Sequence, residues 1–278
     1  MSHSVTLTNG TRVRYYTYRD DKQPTIVMIH GITGNHKGFQ YILPELSDYH
    51  CIVPDLPGFG DSDLPPKANW SVDDLARLAN EFVAALKLPV PPIILGHSMG
   101  GLVVSSMVSQ RPELYNDRVV LISPVPTAVR RRDSRYIGAK LGALQYRAGQ
   151  VSDRIVKNAT ISRATTSVMI KTRDHDRRRA IYDHHLDNLR YFSDSGFYHA
   201  LHTDINRRGS IDYAPALQHK KILLLAGDDD LVTPLAEMNK FAQAITPHTY
   251  QIIPNVGHLI HYEKAPEASR AIRQFLDE

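Results

Sequence analysis

Cysteine and long apolar runs are both scarce in this chain of 278 residues. Its one cysteine, Cys51, has no second cysteine with which to form an internal disulfide, and we expect it to be a small buried hydrophobic side chain. No stretch approaches the ~18 consecutive apolar residues of a membrane-spanning helix. The N-terminal stretch also lacks the apolar core of a secretory signal. We therefore expect a cytoplasmic protein without a membrane span.

Acidic residues are scarce in one part of the chain. The net charge is +4, but residues 125–214 contain 17 Lys and Arg, 9 Asp and no Glu, which gives that segment +8 and leaves −4 for the remainder. This uneven composition indicates two structural parts. Hydrophobic residues make up 42% of the chain, enough for a sizeable core.

Apolar runs alternate with helical patterns through most of the sequence, except in the largely helical stretch 125–214. The runs lie at residues 25–29, 51–54, 93–95, 118–122, 221–226 and 250–253. Continuous apolar runs are typical of strands buried on both faces, so the alternation predicts an α/β fold with a mostly parallel, twisted sheet and helices on both faces. Asn9-Gly10 predicts an antiparallel hairpin at the sheet edge, and a helix is predicted from about Lys37 to Leu46.

Residues 96–100, Gly-His-Ser-Met-Gly, join a predicted buried strand to a predicted helix. G-x-S-x-G in this context is the nucleophile elbow, in which a strained turn exposes the serine hydroxyl above the sheet. Ser98 is therefore the candidate nucleophile. In a plain structural interpretation, the segment is a small-residue turn.

A serine nucleophile needs a base and an acid that orients the base, and both are expected at the ends of other strands. His258 follows the last strand through a short loop and is the preferred base, with His261 as the alternative. Among three consecutive aspartates, Asp230 is preferred as the acid over Asp229, and Asp228 comes third.

The oxyanion formed by the attack requires preorganised N–H donors. The predicted donors are two backbone amides: that of Met99, directly after the nucleophile, and that of Ile32, in the loop after the strand 25–29.

We interpret Asp55 as a structural carboxylate. Residues 174–176, Asp-His-Asp, and 183–185, Asp-His-His, could suggest metal ligands, but we interpret them as surface residues and expect no metal and no cofactor.

The motifs together resemble the α/β-hydrolase superfamily over residues 5–123 and 219–277. They are H-G-x-x-G from His30, D-x-P-G-x-G-x-S from Asp55, G-H-S-M-G-G from Gly96, G-D-D-D-L-V-T-P from Gly227 and G-H from Gly257. The resemblance implies a catalytic role for Ser98, Asp230 and His258, with Ile32 and Met99 at the oxyanion hole. It also implies a hydrolase core at 1–124 and 215–278, with a helical cap or lid at 125–214.

The expected function is hydrolysis of a small-molecule carboxylic ester through an acyl-enzyme, since G-H-S-M-G-G resembles carboxylesterases and monoacylglycerol-lipase-like enzymes. A lactonase, thioesterase, amidase or cofactor-free perhydrolase would use the same triad, and a ligand receptor on a vestigial scaffold is the non-enzyme alternative. No nucleic-acid partner is expected. The basic segment 125–214 could face solvent, join copies in a homo-oligomer, or steer an anionic substrate.

Overall fold

One sheet organises the molecule. The computed structural model describes residues 1–128, 157–191 and 194–278, with 141, 144, 147 and 154 as isolated positions. The strands in this part of the chain are β1 (Ser2–Thr6), β2 (Arg12–Tyr18), β3 (Thr25–Ile29), β4 (His50–Pro54), β5 (Ile93–His97), β6 (Arg118–Ile122), β7 (Lys221–Gly227) and β8 (Thr249–Ile253). Their order across the sheet is β1-β2-β4-β3-β5-β6-β7-β8.

The sheet is mostly parallel, as predicted. β1 pairs antiparallel with β2, and β2 with β4, whereas all later neighbours are parallel. The hairpin turn falls at the predicted Asn9-Gly10, where Gly10 has a φ of 84° and Leu7 N–H donates to the carbonyl of Thr11 at 2.9 Å. The antiparallel pair therefore forms one edge of the sheet.

The central strands are buried on both faces because side chains alternate across the sheet. In β3, Val27 and Ile29 join the apolar cluster on one face, while Ile26 and Met28 join the cluster on the other. A continuous apolar run is what such a strand requires. The buried, free thiol of Cys51 also lies in the second cluster, as expected.

Helices cover both faces of the sheet. In the described residues they are α1 (Val72–Ala85), α2 (Met99–Gln110), α3 (Ala159–Ser167), α4 (His175–Asn188), α5 (Ser195–Ile205), α6 (Ala214–Leu217), α7 (Leu235–Ile245), α8 (Ile260–Glu263) and α9 (Ala265–Asp277). Side chains of α1, α2 and α7 pack in the first cluster, and side chains of α9 pack in the second. None of the described helices is long and apolar enough to cross a membrane.

The predicted helix from Lys37 to Leu46 is wrong. The segment instead forms two short 3-10 helices, His36–Phe39 and Pro44–Leu46. Pro44 has no amide N–H to donate to the carbonyl four residues earlier, so a continuous α-helical ladder cannot pass through it.

Candidate active site

Ser98 occupies a strained turn between β5 and α2. Its φ and ψ are 56° and −121°, a conformation that a non-glycine residue rarely adopts. The turn is tightly enclosed, because a Cβ on Gly96 would lie 2.5 Å from the carbonyl oxygen of Gly100, and a Cβ on Gly100 would lie 2.1 Å from that of Ile29. Only glycine fits at both positions, and this packing holds the serine at the end of β5.

Ser98, His258 and Asp230 form a hydrogen-bonded chain. Ser98 Oγ lies 2.7 Å from His258 Nε2, and His258 Nδ1 lies 2.8 Å from Asp230 Oδ2. All three residues are buried. An ionised carboxylate only accepts, so His258 donates from Nδ1 and presents the lone pair of Nε2 to the serine hydroxyl. This is the arrangement in which a histidine can take the proton of a serine.

Asp230 is held rigidly by the turn that follows it. Its Oδ1 accepts the amide N–H of Val232 at 2.7 Å and that of Thr233 at 2.9 Å, and Thr233 Oγ1 donates to Oδ2 at 2.6 Å. Burial alone would raise the pKa of Asp230. The charge of His258 and the hydrogen bonds from His258 and Thr233 outweigh burial, so that the pKa falls below its ordinary value. Asp230 is therefore ionised at neutral pH.

The alternative acid and base lie elsewhere. Asp229 forms a salt bridge with Lys171 at 2.8 Å, and Asp228 Oδ1 accepts the amide of Val256 at 3.4 Å. The His261 ring packs against His97, with ring centroids 3.9 Å apart. None of these alternatives joins the hydrogen-bonded chain at Ser98.

The two predicted oxyanion donors flank the serine. Met99 begins α2 directly after Ser98, and Ile32 lies in the loop after β3; both line the same cavity as the serine. That loop passes close to the elbow, because a Cβ on Gly31 would lie 3.2 Å from Ser98 Cβ. Within the described residues, neither amide N–H has a hydrogen-bond acceptor. Both amides can therefore serve an incoming oxygen.

His97 forms a hydrogen bond with the backbone of His258. The sequence predicts only that its side chain points away from the Ser98 hydroxyl. In the structure its Nε2 lies 3.1 Å from the carbonyl oxygen of His258, to which it donates. Burial and the charge of His258 lower the pKa of His97 to about 3, so the ring is neutral. It fixes the backbone that carries His258.

Asp55 has the structural role that the sequence predicts. Its buried carboxylate accepts the amide N–H of His36 at 2.7 Å and that of Asp61 at 2.9 Å. It therefore ties together the loops after β3 and β4.

A cavity of about 170 Å³ opens above Ser98. Strand-end residues form its floor, including Ile32, Ser98, Met99 and His258. Its roof comes from α3, α4, α5 and the residues that follow them. It carries the polar side chains of Ser162, Thr165, Thr166, His184, His185, Asn188 and His202 together with the apolar side chains of Met169, Leu189 and Ile205. Among the described residues that line it, none is Asp, Glu, Lys or Arg.

The family described as alpha/beta hydrolase fold matches residues 24–265, which is most of the chain. The chain belongs to the α/β-hydrolase family. At the level of enzyme class it is therefore a hydrolase.

Several known proteins are similar to this α/β-hydrolase over nearly its whole length. An uncharacterized hydrolase from Bacillus subtilis, YugF, is 26% identical over 273 residues, which cover 96% of this chain and 95% of that protein. An esterase from Exiguobacterium antarcticum has a TM-score of 0.81 at 17% identity, and the match covers all of both chains. An enol-lactonase from Burkholderia xenovorans has a TM-score of 0.80 at 20% identity, with 99% and 100% of the two chains covered. At these identities the structural matches show the fold.

The interpretation of 183–185 as surface residues is wrong for two of the three positions. Asp183 is exposed, but His184 is buried, His185 is half-buried, and both line the cavity of the hydrolase. The signal was the spacing of Ile181, His184 and Asn188, which places all three on the buried side of α4. Because His184 and Asn188 are polar, apolar periodicity does not reveal this buried side of the helix.

Residues 174–176 remain at the surface, as predicted. Asp174 caps α4 by accepting the amide N–H of Arg177 at 2.9 Å, and all three residues are exposed. In the part of the hydrolase that the structure describes, no group of three His, Cys, Asp or Glu residues could hold a metal ion.

Proposed function

We propose that the protein is a serine hydrolase that cleaves a carboxylic ester through an acyl-enzyme. The observation that carries the proposal is the hydrogen-bonded chain from Ser98 Oγ to His258 Nε2 and from His258 Nδ1 to Asp230. A serine hydroxyl becomes a competent nucleophile only when a base accepts its proton.

The reaction has two halves. Ser98 Oγ attacks the carbonyl carbon while His258 Nε2 takes the serine proton, and the developing oxyanion accepts hydrogen bonds from the amides of Met99 and Ile32. The tetrahedral intermediate collapses, the alcohol leaves with the proton from His258, and the acyl group stays on Ser98. A water molecule, deprotonated by His258, then releases the acid and restores the serine.

Asp230 serves the reaction without accepting the proton. Its carboxylate holds the His258 tautomer and stabilises the imidazolium that forms after the serine proton is transferred. The low pKa of Asp230 keeps it ionised throughout.

We also propose that residues 125–214 form a cap over the core, with the core at 1–124 and 215–278. The support is that helices α3, α4 and α5 supply the roof of the cavity, while the strand ends supply its floor. The cluster Arg130–Arg132 in this segment lies outside the described residues. The cytoplasmic location and the homo-oligomer remain predictions.

Replacement of the nucleophile tests the mechanism. Ser98→Ala should fold normally and lose p-nitrophenyl butyrate hydrolysis by a factor on the order of 10⁶ in kcat. Ser109→Ala is the matched control, because Ser109 is exposed on the same α2 helix, and it should keep wild-type activity. Full residual activity in Ser98→Ala would rule out the serine mechanism.

A panel of matched substrates tests the bond that is cleaved. We expect the butyrate ester to be hydrolysed with a higher kcat/KM than the corresponding thioester, lactone or amide. A higher value for one of the others would assign the triad to that bond instead. A wild-type protein that neither reacts with a fluorophosphonate probe nor hydrolyses any of them would support the ligand-receptor alternative.

A further inference from the structure

Two histidines with fixed tautomers face the cavity from neighbouring positions on α4. His184 and His185 both line the cavity that holds Ser98. Their ring centroids lie 6.1 Å apart, with the rings nearly perpendicular at 84°. Which ring nitrogen carries the proton follows from their hydrogen bonds.

The tautomer of His184 is fixed by a chain of amides that starts at a backbone N–H. Lys37 N–H donates to Asn35 Oδ1 at 2.9 Å, which leaves the NH₂ group of Asn35 to face Asn188. That NH₂ group donates to Asn188 Oδ1 at 2.9 Å. Asn188 is left with its own NH₂ group, which donates to His184 Nε2 at 3.2 Å. Because Nε2 accepts, a neutral His184 carries its proton on Nδ1, which remains available as a donor.

His185 has the same tautomer, but the hydrogen bond that fixes it uses the other ring nitrogen. Its Nδ1 lies 3.0 Å from the carbonyl oxygen of Ile181, which can only accept. The proton of a neutral ring is therefore on Nδ1, and the lone pair of Nε2 remains an acceptor. Within the described residues, neither His184 Nδ1 nor His185 Nε2 has a protein partner.

Both rings are neutral at pH 7. Burial, followed by the charge of His185, lowers the pKa of His184 to about 3. Burial also lowers the pKa of His185. None of the described residues that line the cavity is Asp, Glu, Lys or Arg, so none of them offers a counter-charge to a charged ligand.

The three arginines of α4 have partners in the protein, and Arg179 pairs with Asp183 at 3.8 Å. Arg177 donates to the carbonyl oxygen of Tyr262 at 2.8 Å and lies over the Tyr41 ring, 4.7 Å from its centroid. Arg178 donates to the carbonyl oxygen of Thr172 at 3.2 Å. The hydroxyl-bearing residues Ser162 and Thr166 line the same cavity as the two histidines.

We propose that the roof of the cavity binds a free hydroxyl group of the substrate, so that the enzyme acts on uncharged, hydroxyl-bearing esters. A hydroxyl both donates and accepts, and it can therefore satisfy His184 Nδ1–H and His185 Nε2 together. A methyl group in its place leaves both nitrogens unpaired, and a carboxylate cannot donate to Nε2. This proposal rests on the ester hydrolysis proposed above.

Isosteric substrate pairs test the proposal on either side of the ester bond. The acyl pair is p-nitrophenyl 6-hydroxyhexanoate and p-nitrophenyl heptanoate, in which a methyl replaces the hydroxyl, with the p-nitrophenyl monoester of adipate as the carboxylate analogue. The alcohol pair is 1-butyrylglycerol and 2-methylbutyl butyrate. In at least one pair, we expect the hydroxyl ester to have a kcat/KM about tenfold higher than that of its isostere. The adipate monoester should be the poorest of the acyl substrates.

Variants of His184 test whether the roof of the cavity causes the preference for hydroxyl esters. His184→Phe should lower the hydroxyl-to-methyl ratio of kcat/KM to a value between about 1 and 3. His184→Asn should keep most of the wild-type ratio, because its amide nitrogen can replace Nδ1 as the donor. His175→Phe, at an exposed position of the same helix, is the matched control and should keep the wild-type ratio. Should His184→Phe fail to fold by circular dichroism, His185→Phe takes its place with the same expected loss.

The outcomes separate this proposal from the one on which it rests. Ratios near one in both pairs for an active wild-type enzyme would overturn the hydroxyl site and leave ester hydrolysis intact. Preference for the adipate monoester, or a folded His184→Phe with the full wild-type ratio, would overturn it as well. An enzyme that hydrolyses none of the five esters, or whose ester hydrolysis survives Ser98→Ala, contradicts the proposed function itself.

Discussion

The floor and the roof of the cavity are built by different means. On the floor, Ser98 is held by backbone packing, since glycines at 96 and 100 let a strand and a helix approach closely. On the roof, His184 is held by a chain of side-chain amides that begins at Asn35. Backbone packing fixes where the serine lies, whereas the chain of side-chain amides fixes which ring nitrogen of His184 carries the proton.

This difference separates the chemistry from substrate recognition. The floor brings together the groups that a proton transfer requires, at distances of 2.7 and 2.8 Å. The roof offers neutral donors and acceptors and, among the described lining residues, no charge. We expect changes to the floor to alter kcat, and changes to the roof to alter the choice between substrates.

The largest effect is expected at the base. His258→Ala should lower kcat by about 10⁴- to 10⁶-fold, because no other group in the hydrogen-bonded chain can take the Ser98 proton. The comparison variant is His261→Asn, at the alternative base predicted from the sequence, and its kcat should fall far less. Steady-state kinetics on p-nitrophenyl butyrate measure both, and equal losses would mean that the base is wrongly assigned.

The second-largest effect on kcat is expected at Asp230, the proposed acid. Asp230→Asn should lower kcat by about 10⁴-fold, because an amide in its place can donate to His258 and favour the wrong tautomer. Asp229→Asn is the matched control, since Asp229 is exposed and forms a salt bridge with Lys171, and its kcat should stay within a few-fold of the wild type. Steady-state kinetics on p-nitrophenyl butyrate measure both variants. A larger loss of kcat in Asp229→Asn than in Asp230→Asn would mean that Asp229 is the acid.

A substitution in the elbow tests whether backbone packing holds the floor. Gly100→Ala should lower the free energy of unfolding by about 3 kcal/mol, because its Cβ would lie 2.1 Å from the carbonyl oxygen of Ile29. Gly38→Ala should be tolerated, since the nearest atom to its Cβ would be Tyr262 Oη at 3.8 Å. Urea denaturation compares them, and similar losses in the two variants would count against tight packing at the elbow.

The smallest effect is a pH dependence that originates in the roof. The pKa of His184 is about 3 in the folded chain and about 6.5 when unfolded. As the pH falls below 6.5, the unfolded ring binds a proton that the folded ring does not, so stability is lost toward acid. This histidine should contribute about 2 kcal/mol to the loss between pH 7 and pH 5.

Urea denaturation at pH 7, 6 and 5 checks this contribution. His184→Phe should lose less stability over that range than the wild type, while the exposed control His175→Phe should lose as much as the wild type. Identical pH dependence in His184→Phe and the wild type would mean that His184 does not titrate differently on folding.

Much of the floor can be predicted from the sequence, because its determinants are local. Glycine spacing defines the elbow at Ser98, and the positions after two strands single out His258 and the three aspartates. The choice of Asp230 over Asp229 stays open in the sequence, since both follow the same strand. In the structure the carboxylate of Asp230 lies 2.8 Å from His258 Nδ1, whereas that of Asp229 pairs with Lys171.

The roof cannot be predicted in this way, because its determinants are distant in the chain. Asn35 and Asn188 are separated by 153 positions, and no local pattern connects them. A pair of histidines beside an aspartate on a charged helix is typical of a solvated surface, and this is how the sequence misleads at His184. The prediction of a helix through Pro44 is wrong for a local reason, because proline has no amide N–H.

Mass spectrometry of the protein after reaction with a fluorophosphonate identifies the nucleophile. We expect a single phosphonyl adduct, located on Ser98 by peptide mapping, and loss of ester hydrolysis in proportion to labelling. An adduct on another residue, or an enzyme that remains fully active with Ser98 labelled, would contradict the serine mechanism.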